Sequence, residues 1–371
     1  MPACLPASLR HVGAAEKPRH FPIFRPSPLS WGAVVALLAA FGAARSDGQT
    51  AAPPAASAPV AKDDAAPAVE RLTKLVTSDG VSLAAWFYPA AKPETTAGKP
   101  ADAGASDGPA PVVILVHDLG GSHASLEPLA RDLQARGIAV VAPDLRGHGE
   151  TKGPADRDDL DAKTIKLPDF VKMTMTDGGR VREQAENRGD LETVRNWIRE
   201  NAAARRLDVD RLVVVGSGVG AAIAAQWTML DAAWPDIASG PQGRQVRGLV
   251  FVSPVWTTRG FTIGSALAGE PVRRSVPVLV IGGTGDADGV KIYDQLKRQR
   301  PDAWNEKRAG QAAPTQSPKA AGKSPITLYL RQFDSPLKGD ELAAYVPAGG
   351  RGGHPAAIID GFVNAITAGA P

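Results

Sequence analysis

The sequence predicts an α/β protein with a doubly wound, mostly parallel sheet, and three observations carry that prediction. From residue 70 onward, short apolar runs alternate with segments of helical spacing, the order that parallel crossovers require. Residues 112–116 (VVILV) are apolar at every position, as in a strand covered on both faces. Residues 187–201 place Leu191, Val194, Trp197 and Ile198 at i, i+3, i+6 and i+7, one stripe of a helix.

The elements follow in order. Residues 31–44 (WGAVVALLAAFGAA) form an uncharged apolar run behind Arg10, Lys17, Arg19 and Arg25. Fourteen residues are too few to cross a hydrocarbon core of about 30 Å but suit the centre of an export signal. Gly42 and Ala44 fit the small-residue positions of a cleavage site, so 1–44 reads as a signal peptide, an uncleaved anchor being the alternative. Residues 45–68 are Ala/Pro-rich, with too little apolar surface to offset ordering entropy, and read as a disordered tether. The domain then spans 69–371. It opens on a hairpin, 71–77 and 81–88, around Ser78-Asp79-Gly80. Further strands are expected at 138–142, 212–215, 249–252, 278–281 and 326–330. Helices are expected at 126–136, 187–201, 219–230, 289–300 and 355–367. The polar stretches 90–110 and 305–324 read as mobile surface loops.

Composition narrows the chemistry. A single cysteine, Cys4, excludes an intrachain disulfide and a thiolate metal cluster. The six histidines form no HExxH pair, so no metal site is expected. A net charge of +3 gives no case for a nucleic-acid partner.

In an open parallel sheet, ligands bind beyond the carboxyl ends of the strands. Those ends read His117-Asp118-Leu119-Gly120-Gly121-Ser122, Pro143-Asp144-Leu145-Arg146-Gly147-His148-Gly149, Val215-Gly216-Ser217-Gly218-Val219-Gly220-Ala221, Gly283-Thr284-Gly285-Asp286 and Leu337-Lys338-Gly339. With VVILVHDLGGS followed by VVAPDLRGHGE, the chain resembles the α/β-hydrolase superfamily, in its lysophospholipase and serine aminopeptidase-like branch. The resemblance spans roughly residues 70–371 and points to a degenerate exported bacterial subgroup with no large lid domain.

What the resemblance implies is a Ser-His-Asp constellation with the serine on a G-x-S-x-G turn. Here Gly216 and Gly220 fill the crowded flanking positions, and the nucleophile position is Gly218, with no side chain. Asp286 stands at the acid position, with Asp288 close by; a helix N-cap is the competing role. The base position reads Lys338, in Leu-Lys-Gly where the family often has Leu-His-Gly. His117, Asp118, Leu119 and Val219 make up the oxyanion region, and Asp118 replaces the usual glycine, a carboxylate beside a hole built for negative charge. Asp144, Arg146 and His148 are expected to lock their turn.

The expected function is therefore a non-catalytic ligand-binding or scaffolding protein, with a small molecule in the pocket at the strand ends. Two alternatives stand beside it. One is an active ester or peptide hydrolase using Ser217 with His354 or Lys338 as base. The other is a dinucleotide-binding oxidoreductase through Gly216-Gly218-Ala221, which satisfies G-x-G-x-x-A. No cofactor is expected under the leading reading. On sequence grounds, Gly218→Ser with Lys338→His would rebuild a triad with Asp286.

Overall fold

The computed structural model describes residues 68–91, 108–175, 188–238, 240–318, 325–346 and 353–367. The expected signal, nearly all of the tether and most of the 90–110 stretch lie outside them.

Among the described residues, ten strands form one sheet: β1 (Glu70–Val76), β2 (Ser82–Tyr88), β3 (Ala110–Val116), β4 (Ala139–Pro143), β5 (Leu207–Ser217), β6 (Val246–Val252), β7 (Val278–Gly282), β8 (Trp304–Lys307), β9 (Thr315–Gln316) and β10 (Leu328–Gln332). Their spatial order is β1-β2-β4-β3-β5-β6-β7-β10-β8-β9. Antiparallel pairing is confined to the two edges, in β1–β2, β2–β4 and β8–β9. All other pairs are parallel, and β5 lies between β3 and β6 in the middle.

Helices α1 (His123–Ala135), α7 (Gly339–Ala343) and α8 (Pro355–Thr367) cover one face. The other carries α2 (Leu167–Thr174), α3 (Asp190–Arg205), α4 (Val219–Ala233), α5 (Gly264–Ala268) and α6 (Ala287–Gln299). This double cover explains the unbroken apolar run in β3. Val112, Ile114 and Val116 enter the core under α3 and α4, while Val113 and Leu115 enter the core under α1 and α8. Among the described residues, the β6–β7 connection holds only a short hairpin (257–262), α5 and a π-turn (Pro271–Ser275), so no large lid sits over the sheet.

Among the segments that differ from the sequence reading, two have a plain physical reason. Residues 304–307 and 315–316, all but Trp304 inside the stretch read as a loop, pair at the sheet edge. Lys297 explains how a polar segment holds there. Its Nζ bonds Glu306 Oε2 at 2.9 Å and lies 3.5 Å from the centre of the Trp304 ring. Helix α2 was not read from the sequence because it is short and buries only Phe170 and Met173 as large apolar side chains.

One buried ion pair ties three distant turns together. Arg146 is fully buried and donates from Nε and Nη2 to Asp190 Oδ1 at 2.9 and 2.7 Å, and from its backbone N–H to Asp190 Oδ2 at 2.9 Å. Its Nη1 reaches Asp79 Oδ2, in the β1–β2 turn, at 2.7 Å. Burial alone would raise the Asp79 pKa, but hydrogen bonds from Arg146 and Thr77 hold it below the ordinary aspartate value. Asp144 fastens the same loop to α1, accepting the His123 N–H at 2.6 Å and the Glu150 N–H at 2.8 Å.

Removing one partner of such a pair strands a buried charge, so Asp190→Ala is expected to cost about 3–5 kcal/mol. Asp210→Ala, which breaks the exposed Arg247–Asp210 pair, is expected to change stability by less than about 0.5 kcal/mol. Urea unfolding of the two variants checks this; equal losses would contradict it.

Candidate functional site

Strand β5 ends at Ser217, the chain bends at Gly218 with φ +53° and ψ −117°, and α4 begins at Val219. The bend is tightly enclosed. A Cβ on Gly216 would lie 2.4 Å from the Gly220 carbonyl oxygen, and one on Gly220 would lie 2.4 Å from that of Val116. The Gly218 N–H donates to the Val252 carbonyl at 2.9 Å, fixing the turn to β6. This is a strand-to-helix elbow that would aim a side chain at position 218 out over the sheet.

The space above Gly218 is taken. A Cβ built there would sit 2.0 Å from the Asp118 carboxyl carbon and 2.1 and 2.2 Å from its oxygens. Asp118 Oδ1 accepts the Leu119 N–H at 2.7 Å and the Val219 N–H at 2.8 Å. On this kind of elbow, the N–H after the nucleophile and one from the loop after β3 stabilise the oxyanion of acyl transfer. Here they hold the protein's own carboxylate. Burial raises the Asp118 pKa, the two backbone N–H bonds oppose that, Asp340 adds to it, and the net displacement is upward.

Neighbouring groups hold the carboxylate in place. The Asp118 N–H donates to Asp340 Oδ1 at 2.9 Å, and Ser125 Oγ donates to Asp340 Oδ2 at 2.5 Å. Gly339, with φ +52°, closes the other side; a Cβ there would approach Asp118 Oδ2 to 2.7 Å. Glycine is required at 339 on both counts. His117 accepts the Leu145 N–H at Nε2 (3.1 Å), which assigns its proton to Nδ1, donating to the Asp118 carbonyl at 2.7 Å. Both ring nitrogens are thus committed to holding the loop.

A model of the α/β-hydrolase fold matches residues 111–270, from β3 through the elbow into the β6–β7 connection. The chain is an α/β-hydrolase-fold protein. Similar solved structures include an esterase of Pyrobaculum calidifontis (14% identity, 81% of this chain and 85% of that one, TM-score 0.46). An esterase of Pyrococcus furiosus is 16% identical over 76% of this chain and 88% of its own, with a TM-score of 0.41. A dienelactone hydrolase from Anabaena variabilis is 15% identical over 71% and 86%, also at 0.41. No curated protein matches the chain at a significant level.

Within this α/β-hydrolase fold, Asp286 is the N-cap of α6 and accepts the Gly289 N–H at 2.8 Å. Its other oxygen is buried. Burial raises its pKa, with the Gly289 bond and the charge of Lys338 opposing. The Lys338 side chain passes over Gly285, its Cε 4.0 Å from where a Cβ would stand. Gly218, Asp118, Asp286 and the Lys338–Gly339 step therefore converge at one end of the sheet. Asp288 does not join them as an acid; it accepts the Trp256 N–H at 2.9 Å and anchors the β6–β7 connection.

The residues of the alternative readings are buried, engaged elsewhere or set apart from the elbow. Ser217 is only 1% exposed, and its Oγ has no hydrogen-bond partner among the described residues. His354 sits at the far end of α1, its Nδ1 3.1 Å from Asp132 Oδ2 and its Nε2 accepting from Arg136 at 2.9 Å. It is not brought to the elbow. The dinucleotide reading of Gly216-Gly218-Ala221 fails because Asp118 already holds the Val219 N–H at the start of α4, placing negative charge where a pyrophosphate would bind. The space at Asp118, Leu119 and Val219, lined also by His117, Leu145, His148, Phe170, Met173 and Ile223, admits no water-sized sphere.

Sequence reasoning missed Asp340 and the direction of Asp118. The available signal was a paired departure: a side chain is absent at 218 and one is gained at 118.

A serine at 218 alone would collide with Asp118, so the two-residue repair is insufficient. Gly218→Ser with Lys338→His should not react with a fluorophosphonate, whereas adding Asp118→Gly should give labelling at 218. Equal labelling of both variants would contradict the assignment.

His148 offers a pH test. Burial, and then the adjacent His117 ring at 4.8 Å, push its pKa down to about 4, from about 6.5 in an unfolded chain. The unfolded state binds this proton first, so stability present above about pH 6.5 is lost as pH falls toward 4, by up to roughly 3 kcal/mol. His148→Gln should flatten that part of the stability–pH curve in urea titrations; an unchanged slope would count against it.

Proposed function

We propose that this protein is a non-hydrolytic member of its fold, exported from the cell, which binds a small molecule without cleaving it. The observation that carries the reading is the Asp118 carboxylate on the Leu119 and Val219 N–H groups, in the space a nucleophile would need. Acyl transfer requires a nucleophile and an open hole for the oxyanion. Gly218 offers no nucleophile, and Asp118 brings a negative charge to the site where negative charge must develop. Losing a triad nucleophile alone costs about 10⁶ in kcat. Each hole donor removed from service costs a further 10²–10³, roughly. Export is supported by the apolar run 31–44 behind a basic lead-in, and protein from the native host is expected to begin near residue 45.

Purified protein is expected to leave p-nitrophenyl esters unhydrolysed and a fluorophosphonate unreacted. Turnover of about 1–10³ s⁻¹, abolished by Ser217→Ala, would overturn the reading.

A further inference from the structure

Two cavities lie side by side against α2 and the hairpin at 257–262. The first, about 480 Å³, is walled by Arg157, Lys163, Lys166 and Arg259, with Asp159 as the one acid among its described lining residues. The second, about 340 Å³, is lined chiefly by apolar side chains, among them Leu167, Val171, Met229 and Phe261, and by no charged one among the described residues. They adjoin where Lys166 passes to Leu167 and where Arg259 passes to Gly260, one residue of each step lining each cavity. A Cβ on Gly260 would lie 3.8 Å from Leu167 Cδ2, so the two steps face one another.

The cationic wall is only partly neutralised. Arg157 pairs with Asp169 at 2.7 Å. Arg259 is spent on the backbone, donating to the Lys163 and Ile165 carbonyls at 3.2 and 2.7 Å, which fixes the segment that presents the lysines. Asp161 turns its carboxylate to the Lys163 and Thr164 N–H groups of its own turn. Lys163 and Lys166 are exposed and make no ion pair among the described residues. Positive charge therefore adjoins an apolar cavity of ligand-binding size with no charged lining among the described residues.

We propose that the two cavities form one site for an anionic amphiphile, its acidic head group on Lys163 and Lys166 and its apolar body against Leu167, Val171, Met229 and Phe261. A carboxylate or a phosphate head satisfies the same chemistry. The inference rests on the binding reading above and shares no residue with the elbow, so an ester-hydrolysis result leaves it standing.

Calorimetric titration of the full chain, below the micellar range, with dodecanoate, dodecyl phosphate, dodecan-1-ol and acetate tests it. One or both acids should bind at least about tenfold more tightly than the alcohol, and acetate should not bind measurably. The tighter of the two acids identifies the head group. Lys163→Glu with Lys166→Glu, both on the surface, should abolish the preference for acid over alcohol while leaving alcohol binding unchanged. Val171→Phe should weaken acid and alcohol alike. Equal affinity for dodecanoate, dodecyl phosphate and dodecan-1-ol, binding by none of them, or a preference that survives the double lysine change would overturn the proposal.

Discussion

A carboxylate oxygen shared by two backbone N–H groups, Asp118 Oδ1 on Leu119 and Val219, organises the functional end of this molecule. Such bonds to an ionised acceptor are short and roughly twice as strong as neutral ones. They also satisfy a first-turn N–H of α4 that the helix itself leaves unpaired. The loop after β3, the elbow and the start of α7 are thereby joined, because Asp118 also donates its own N–H to Asp340 and lies against Gly339. Removing the side chain would release the Leu119 and Val219 N–H groups together, while the Asp118 N–H bond to Asp340 would remain.

The elbow's conformation makes sense only with that partner in view. Gly218 retains a positive φ, and Gly216 and Gly220 retain the clearances that a projecting side chain needs, although none projects. The freed volume is used by a carboxylate from the neighbouring loop. Chemistry follows from packing here: the groups that would stabilise an oxyanion are occupied before any substrate arrives. The open cavities lie instead beside α2 and the 257–262 hairpin, where the chain presents lysines next to apolar walls.

Most of the sheet was legible in the sequence because its strands are buried on both faces. Residues 112–116 and 278–281 show this as unbroken apolar runs whose period matters little. The edge pair at 304–307 and 315–316 escaped because it is stabilised by Lys297 acting on Glu306 and Trp304, a contact with no local pattern. At the site, the missing side chain at 218 could be read directly, since residue type alone decides it. The orientation of Asp118 could not, because it depends on N–H groups supplied by a turn 101 residues away. His354 illustrates the converse: its residue type suits a base, but Asp132 and Arg136 hold it at the other end of α1.

The occupied hole can be observed directly by following the amide protons of Leu119 and Val219 by NMR as pH is lowered. Both resonances should lie well downfield and move together, with a midpoint above the ordinary aspartate value of about 3.9, and both should shift upfield in Asp118→Ala. Amide shifts that ignore the substitution, or that titrate independently of one another, would contradict a carboxylate held between them.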